Sequence, residues 1–129
     1  MSWTESDYQQ AKTYFYQREQ IRQAKLEQTR LHWFNRVRDL VQKIAPQYPA
    51  IKRVYLFGSL AQLGRFRSHS DIDLAVVCTN IAAETVFWRK LEQVIKHSVD
   101  VRPLTESIAE AVKQYGILLY ERQDTIIDK

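Results

Sequence analysis

The sequence predicts an α/β (α+β) fold, in which helices pack on a mixed sheet of about four strands and a long N-terminal helix precedes the sheet. No glycine or proline interrupts residues 2–45, as a long helix requires. Short apolar or alternating runs, typical of strands, then occur at 53–57, 71–77, 98–104 and 117–121. Segments with apolar residues at helical spacing separate the last three runs, at 83–97 and 107–115.

Length and composition limit the class of protein. A chain of 129 residues, 45% apolar and 26% charged, is expected to form one soluble globular domain. It lacks the run of about 20 apolar residues that a membrane span needs, and its N-terminus lacks a signal-peptide core. A single cysteine, Cys78, fits a reducing cytosol, so we expect a cytoplasmic location. The net charge of +4 suits ATP, RNA or an acidic partner and does not choose among them.

The long helix divides into two unlike halves. Its second half is predicted to pack on the sheet through Leu31, Phe34, Val37, Val41 and Ile44. Its first half is glutamine-rich, with a sparse stripe of Trp3, Tyr8, Ala11, Tyr14, Phe15 and Ile21. We therefore predict a helical extension at 1–27, a domain at 28–122 and a frayed tail at 123–129, with Ser2 and Glu5 as a capping box. The extension is either a solvated arm or a surface for a partner or a second copy, since uncovered aromatic residues are costly in water.

The remaining elements follow from local signals. Pro46 and Pro49 end the long helix and lead into the first strand. The segment 83–97 is predicted to be a crossover helix with inward residues Val86, Phe87, Leu91, Val94 and Ile95. Gly116 ends the last helix. The final run, 117–121, is predicted to be a short strand or an apolar tail that docks on the core.

The candidate site lies between the first two strands. The first strand ends in Gly58 and Ser59, and Asp71 and Asp73 open the second. Because side chains alternate along a strand, the two aspartates share one face, about 7 Å apart at their Cα atoms. They repel each other unless a cation lies between them, an arrangement that suits Mg²⁺. Gly58 permits a close backbone approach, Ser59 brings a hydroxyl, and residues 59–63 are predicted to form a short helix whose first N–H groups face an anion.

Other polar residues nearby have two interpretations each. The segment after the glycine at position 64 carries Arg65, Arg67 and His69. These side chains belong either to a solvated loop or to a surface that contacts phosphates or an acceptor substrate. Asp100 lies between Val99 and Val101 as the only acid in a strand expected to be buried, where an aspartate is usually paired or capping. Cys78 fits packing better than a reactive role, and the three histidines lack metal-ligand spacing.

Through FGSLAQLGRF and SDIDLAVV the sequence resembles the minimal nucleotidyltransferases (MNT) of the DNA polymerase beta superfamily. Their hallmark is Gly-Ser, a short helix and Asp-x-Asp on the next strand, and the resemblance covers roughly the last two-thirds of this chain. It implies a polymerase-beta-like nucleotidyltransferase fold whose third strand brings a third carboxylate, matched here by Asp100. In one departure, 11 residues separate Ser59 from Asp71, one more than is common in the family. Leu63 is the extra residue, and Gln62 stands where a basic residue is frequent.

The resemblance also implies a reaction and a partner. It assigns catalysis and the binding of two Mg²⁺ ions to Asp71, Asp73 and Asp100. It assigns ATP binding to Gly58, Ser59, Arg65 and Arg67. Stand-alone members are commonly antitoxins of type VII systems that transfer AMP from ATP to a tyrosine of a HEPN-domain RNase toxin. We therefore expect a protein adenylyltransferase antitoxin. The alternatives are a transferase for a small molecule or an RNA 3′ end, and a non-catalytic antitoxin that acts by occlusion.

Overall fold

The computed structural model describes residues 2–123 and contains three α-helices and four strands in that range. In chain order they are α1 (Glu5–Ile44), β1 (Ile51–Phe57), β2 (Ile72–Cys78), α2 (Ile81–Ile95), β3 (Val99–Pro103), α3 (Glu106–Tyr115) and β4 (Ile117–Glu121). Single 3₁₀ turns at Ala45–Gln47 and Ser59–Ala61 follow α1 and β1. The tail predicted to be frayed lies outside the described residues, apart from its first residue.

The four strands form one mixed sheet in the order β3-β2-β1-β4. β1 runs antiparallel to both β2 and β4, whereas β2 and β3 are parallel. Helix α2 is the crossover that a parallel pair requires. The predicted mixed sheet of about four strands is confirmed, and the final apolar run is a strand.

One face of the sheet carries the main core. Helix α2 and the second half of α1 supply much of it, through Val37, Val41, Ile44, Phe87, Leu91 and Ile95. The strands add alternate residues, Val54, Leu56, Ile72, Leu74, Val76, Val99 and Val101. The inward positions predicted for Leu31 and Val86 are wrong, because both are exposed. Each lies about 100° or more around its helix from the buried stripe.

Helix α1 begins at a capping box formed by Thr4 and Asp7. The Asp7 backbone N–H donates to Thr4 Oγ1 (3.1 Å), and the Thr4 N–H donates to Asp7 Oδ2 (2.9 Å). The box predicted at Ser2 and Glu5 is therefore two residues too early. A hydroxyl residue followed three positions later by an acid occurs twice here, and spacing alone does not choose between the two starts.

The first half of α1 leaves the domain as an arm, which we define as residues 2–26. Residues 2–18 are all exposed, including Trp3, Tyr14 and Tyr16. The helix contacts the region after β1 from Glu27 onward. The division of the chain at residue 27 stays a prediction. None of the described helices is both long and apolar enough to cross a membrane.

Candidate active site

The sheet brings the predicted acidic residues to one edge. In the parallel pair of β2 and β3, Asp73 is the register partner of Asp100. Neighbouring strands lie about 4.8 Å apart, so the two side chains leave the same face side by side. That face is opposite the core residues Ile72 and Leu74. Asp71 immediately precedes β2 and is exposed, two residues from Asp73.

The three carboxylates act on one another electrostatically. Burial is the largest cause that raises the pKa of Asp73, and together with the negative charges of Asp100 and Asp71 it brings the pKa from its ordinary value of 3.8 to about 6. The positive charge of Arg102 opposes them. The ionised site is therefore short of positive charge, which a bound cation would supply.

Arg102 is a neighbour that the sequence analysis missed. Its Nε donates to Asp100 Oδ2 at 2.8 Å, and its side chain is mostly exposed. Because side chains alternate along a strand, residues 100 and 102 share one face of β3, so the sequence pattern could have predicted this contact. An exposed ion pair of this kind contributes little to stability, and Asp100 easily exchanges Arg102 for another cation.

These side chains fit Mg²⁺ without forming a ready-made cage. Within residues 2–123, no three His, Cys, Asp or Glu side chains are grouped closely enough to hold a metal by themselves. Mg²⁺ is usually bound through one or two carboxylates, with phosphate oxygens and waters completing its shell. Asp73 and a neighbouring aspartate therefore provide a suitable donor set once a nucleotide is present.

Gly58 joins the end of β1 to the carboxylates. Its φ of +75° and ψ of −155° are values that residues with a side chain rarely adopt. A Cβ atom there would collide with Oδ2 of Asp73. Ser59 begins a short 3₁₀ helix, Ser59–Ala61, so the short helix predicted over 59–63 starts where expected but ends two residues earlier. The turn still places the serine next to a glycine that touches the Asp-x-Asp strand.

Helix α1 holds the loop of residues 58–70, which we call the site loop. Arg30 Nη1 donates to the Leu60 carbonyl oxygen (3.0 Å), and Arg30 Nη2 donates to Glu27 Oε2 (2.6 Å). The Gly64 N–H donates to Glu27 Oε1 (3.4 Å). The sequence analysis did not predict the pair of Glu27 and Arg30. The only indication in the sequence was an acid and a base at helical spacing.

A second anchor holds the middle of the site loop. Phe66 is buried in the core, although its neighbours are polar. The His97 ring approaches Phe66, and its Nε2 lies 3.1 Å from the Ser68 carbonyl oxygen. Its Nδ1 lies 3.1 Å from the carbonyl oxygen of Ser98. These contacts fix the loop to the end of α2 and the start of β3.

The basic residues of the site loop differ in their surroundings. Arg67 Nη1 donates to the carbonyl oxygens of Gly64 and Phe66, both at 3.0 Å, so this guanidinium stabilises its own loop. Arg65 and His69 are exposed. Gln62 Nε2 donates to the Gly58 carbonyl oxygen at 3.1 Å. Nucleotide contacts by Arg65 and Arg67 stay predictions.

The raised pKa of Asp73 predicts a pH-dependent stability. The folded protein holds a proton there more tightly than the unfolded chain, so stability is gained as pH falls from 7 to 4 and lost as pH rises through about 6. We expect Asp73→Asn to be more stable than wild type by roughly 1–2 kcal/mol at pH 7.5 in EDTA, after allowance for solvent screening. The difference should vanish near pH 4. Urea unfolding at both pH values measures it, and an equal difference at both would contradict the assignment.

The Arg30 contact predicts a loss of stability when its side chain is removed. Arg30→Ala removes the side-chain donor to the Leu60 carbonyl oxygen and the cation that pairs with the Glu27 carboxylate, which should cost about 1–3 kcal/mol. Arg53→Ala is the matched control, because it removes an exposed ion pair with Glu121 (3.0 Å) and should cost much less than Arg30→Ala. Equal losses in urea unfolding would show that Arg30 does not hold the loop.

The fold and the paired aspartates define a chain of the nucleotidyltransferase class. Residues 39–125 match the family described as Polymerase beta, Nucleotidyltransferase, and the chain belongs to this family. The comparison with curated proteins finds no match.

Solved structures resemble the chain over most of its length. A toxin–antitoxin crystal structure with AMP-PNP is 27% identical, with 63% of this chain and 70% of that chain covered and a TM-score of 0.53. A mutant of the MntA–HpeT toxin–antitoxin is 25% identical, with 67% and 74% covered and a TM-score of 0.57. A nucleotidyltransferase structure from Sulfolobus solfataricus is 24% identical, with 78% and 90% covered and a TM-score of 0.51, and shows the fold alone.

Proposed function

We propose that the chain is a Mg²⁺-dependent adenylyltransferase that moves AMP from ATP to a tyrosine hydroxyl of a HEPN-domain toxin. In this role it is the antitoxin of the pair. The observation that carries the proposal is the Asp73–Asp100 register pair packed against the Gly58 turn, in a chain of this family. Two similar structures are those of toxin–antitoxins, and one of them contains an ATP analogue.

Each part of the site has a chemical role in this proposal. Asp71, Asp73 and Asp100 would hold Mg²⁺, which neutralises phosphate charge and favours ionisation of the acceptor hydroxyl when it is bound. Ser59 Oγ and the backbone N–H groups of the turn hold the β and γ phosphates, and Arg65 adds positive charge from the site loop. Asp100, on the side of the site away from Gly58, orients the acceptor hydroxyl for in-line attack on the α phosphorus.

The chemistry then needs little more than positioning. A bond forms between the acceptor oxygen and the α phosphorus, the bond to the β-phosphate oxygen breaks, and pyrophosphate leaves. The hydroxyl proton passes to solvent or to a carboxylate of the site. The buried anchors of the site loop serve this step, because reacting groups must be held within a fraction of an ångström.

The test is a transfer assay with the HEPN-domain toxin that we expect the neighbouring gene to encode. Purified protein, ATP labelled at the α phosphate, Mg²⁺ and the toxin are incubated, and the intact mass of the toxin is measured. We expect the toxin to gain one or more AMP units and to lose RNase activity. The net charge of +4 is also compatible with RNA as an acceptor, so an RNA oligonucleotide without toxin is the second arm. If the label appears on RNA alone, RNA and not the toxin is the acceptor.

A further inference from the structure

The arm exposes aromatic side chains that the rest of the described chain leaves uncovered. On one of its faces lie Tyr8, Lys12, Phe15, Tyr16 and Glu19, which we call the arm face. Phe15 is 58% exposed and Tyr16 63% exposed. Gln9, Lys12, Thr13, Phe15, Tyr16 and Glu19 line a shallow groove on this face. Because isolated helices are marginal in water, an ordered arm of this kind needs a partner for its apolar residues.

The arm face is complementary to itself. Consider two copies in antiparallel contact, with a two-fold axis between positions 15 and 16. Phe15 of one copy then faces Tyr16 of the other, and Lys12 faces Glu19. The two-fold axis makes each of these contacts twice. Tyr8, Lys12, Phe15 and Glu19 follow one another at spacings of four, three and four, which keeps them on one face of the helix. Charge and shape thus favour a second copy of this chain as the occupant.

The end of the arm supports the same arrangement. Leu63 is 76% exposed and lines a small cleft with Gln23 and Gly64, where the site loop meets α1. In the antiparallel pair, Tyr8 of one copy faces Gln23 of the other. Trp3 stacks on Tyr8, with ring centroids 5.4 Å apart. The Trp3–Tyr8 pair would therefore cover the partner's cleft and its Leu63.

We propose that the arm face is a homodimer interface, in which two arms pair antiparallel and the Trp3–Tyr8 pair of each copy covers Leu63 of the other. The arm helix spans residues 5–26, about 33 Å at 1.5 Å per residue, which is three heptads of contact. The interface joins the arm, which lies outside the residues that match the family, to the site loop. It does not depend on the reaction that the site catalyses.

Charge reversal tests the pairing. Sedimentation equilibrium of the wild type should show a dimer, and Lys12→Glu or Glu19→Lys should each raise the dimer dissociation constant about tenfold or more. Each single change places like charges opposite each other in both halves of the interface. An equimolar mixture of the two single variants should form a heterodimer, because all facing charges are then opposite. The double variant Lys12→Glu with Glu19→Lys should also dimerise.

A matched pair of aromatic variants tests the face. Phe15→Ala should weaken the dimer at least about tenfold, whereas Tyr14→Ala, on the opposite side of the helix and 65% exposed, should leave it unchanged. A wild type that stays monomeric throughout a 100-fold concentration series, up to its highest soluble concentration, would overturn the proposal. So would a mixture of the single variants that associates no better than either alone. Loss of toxin binding by Phe15→Ala with a monomeric wild type would assign the face to the toxin instead.

Discussion

Asp73→Asn is expected to lose AMP transfer by about three orders of magnitude or more while still binding the toxin. The amide nearly preserves the shape of the side chain but removes the charge that a metal ion and the transition state require. Folding should survive, since the carboxylate it replaces is destabilised by burial and by Asp100 and Asp71. The variant should therefore form the complex without silencing the toxin.

Two measurements separate transfer from binding. Intact mass of the toxin, after incubation with ATP and Mg²⁺, should show AMP with the wild type and none with Asp73→Asn. Calorimetry should show similar toxin affinity for both proteins. Asp39→Asn, an exposed carboxylate of α1 outside the site, is the control and should retain full transfer. Full silencing of the toxin by Asp73→Asn, with no mass change in either mixture, would falsify the transferase proposal and support occlusion.

Gly58→Ala is expected to cost about 2–4 kcal/mol of stability and at least a hundredfold in transfer. The new Cβ collides with Oδ2 of Asp73, and the backbone at φ +75° and ψ −155° disfavours any side chain. Either the turn or the carboxylate must move. Either movement changes the position of the Asp73 carboxylate relative to the Gly-Ser turn.

Gly64→Ala is the matched control for Gly58→Ala. Gly64 has a similar φ of +74°, but a Cβ there meets no atom within 4 Å. Gly64→Ala should lower the free energy of unfolding only by the backbone strain, about 1 kcal/mol. Adding Asp73→Ala to Gly58→Ala removes the colliding carboxylate and should restore part of the stability in urea unfolding. Equal effects of the two glycine changes, with no recovery in the double variant, would show that the collision does not matter.

The sequence predicted the strands and the site for local reasons. Alternation in 71–77 and 98–104 placed Asp73 and Asp100 away from the apolar residues of their strands, and the register pair confirms that these strands are neighbours. The family resemblance supplied that neighbourhood, since alternation alone does not say which strands pair. The long helix followed from the absence of glycine and proline over residues 2–45.

The contacts that the sequence did not predict join distant parts of the chain. Arg30 reaches Leu60 across 30 positions, and His97 reaches Ser68 across 29. Neither contact leaves a periodic pattern, so only the folded chain shows it. Phe66 illustrates the same point, because its polar neighbours made residues 64–70 look like a fully solvated loop although Phe66 is buried. Short-range spacing was insufficient even for the start of α1, where two capping boxes were possible.

Strand β3 lies at the edge of the described sheet, so local opening of the fold there separates the carboxylates of the site. Asp100 lies on a five-residue strand that, within residues 2–123, has β2 as its only hydrogen-bonded neighbour. Edge strands separate from their sheets more readily than central strands, so amide hydrogens of β3 should exchange faster than those of β2. Each such excursion removes Asp100 from Asp73 while the Gly58 turn stays in place on β1. A nucleotide held across both strands would slow exchange in β3, so hydrogen exchange there reports assembly of the site without any acceptor present.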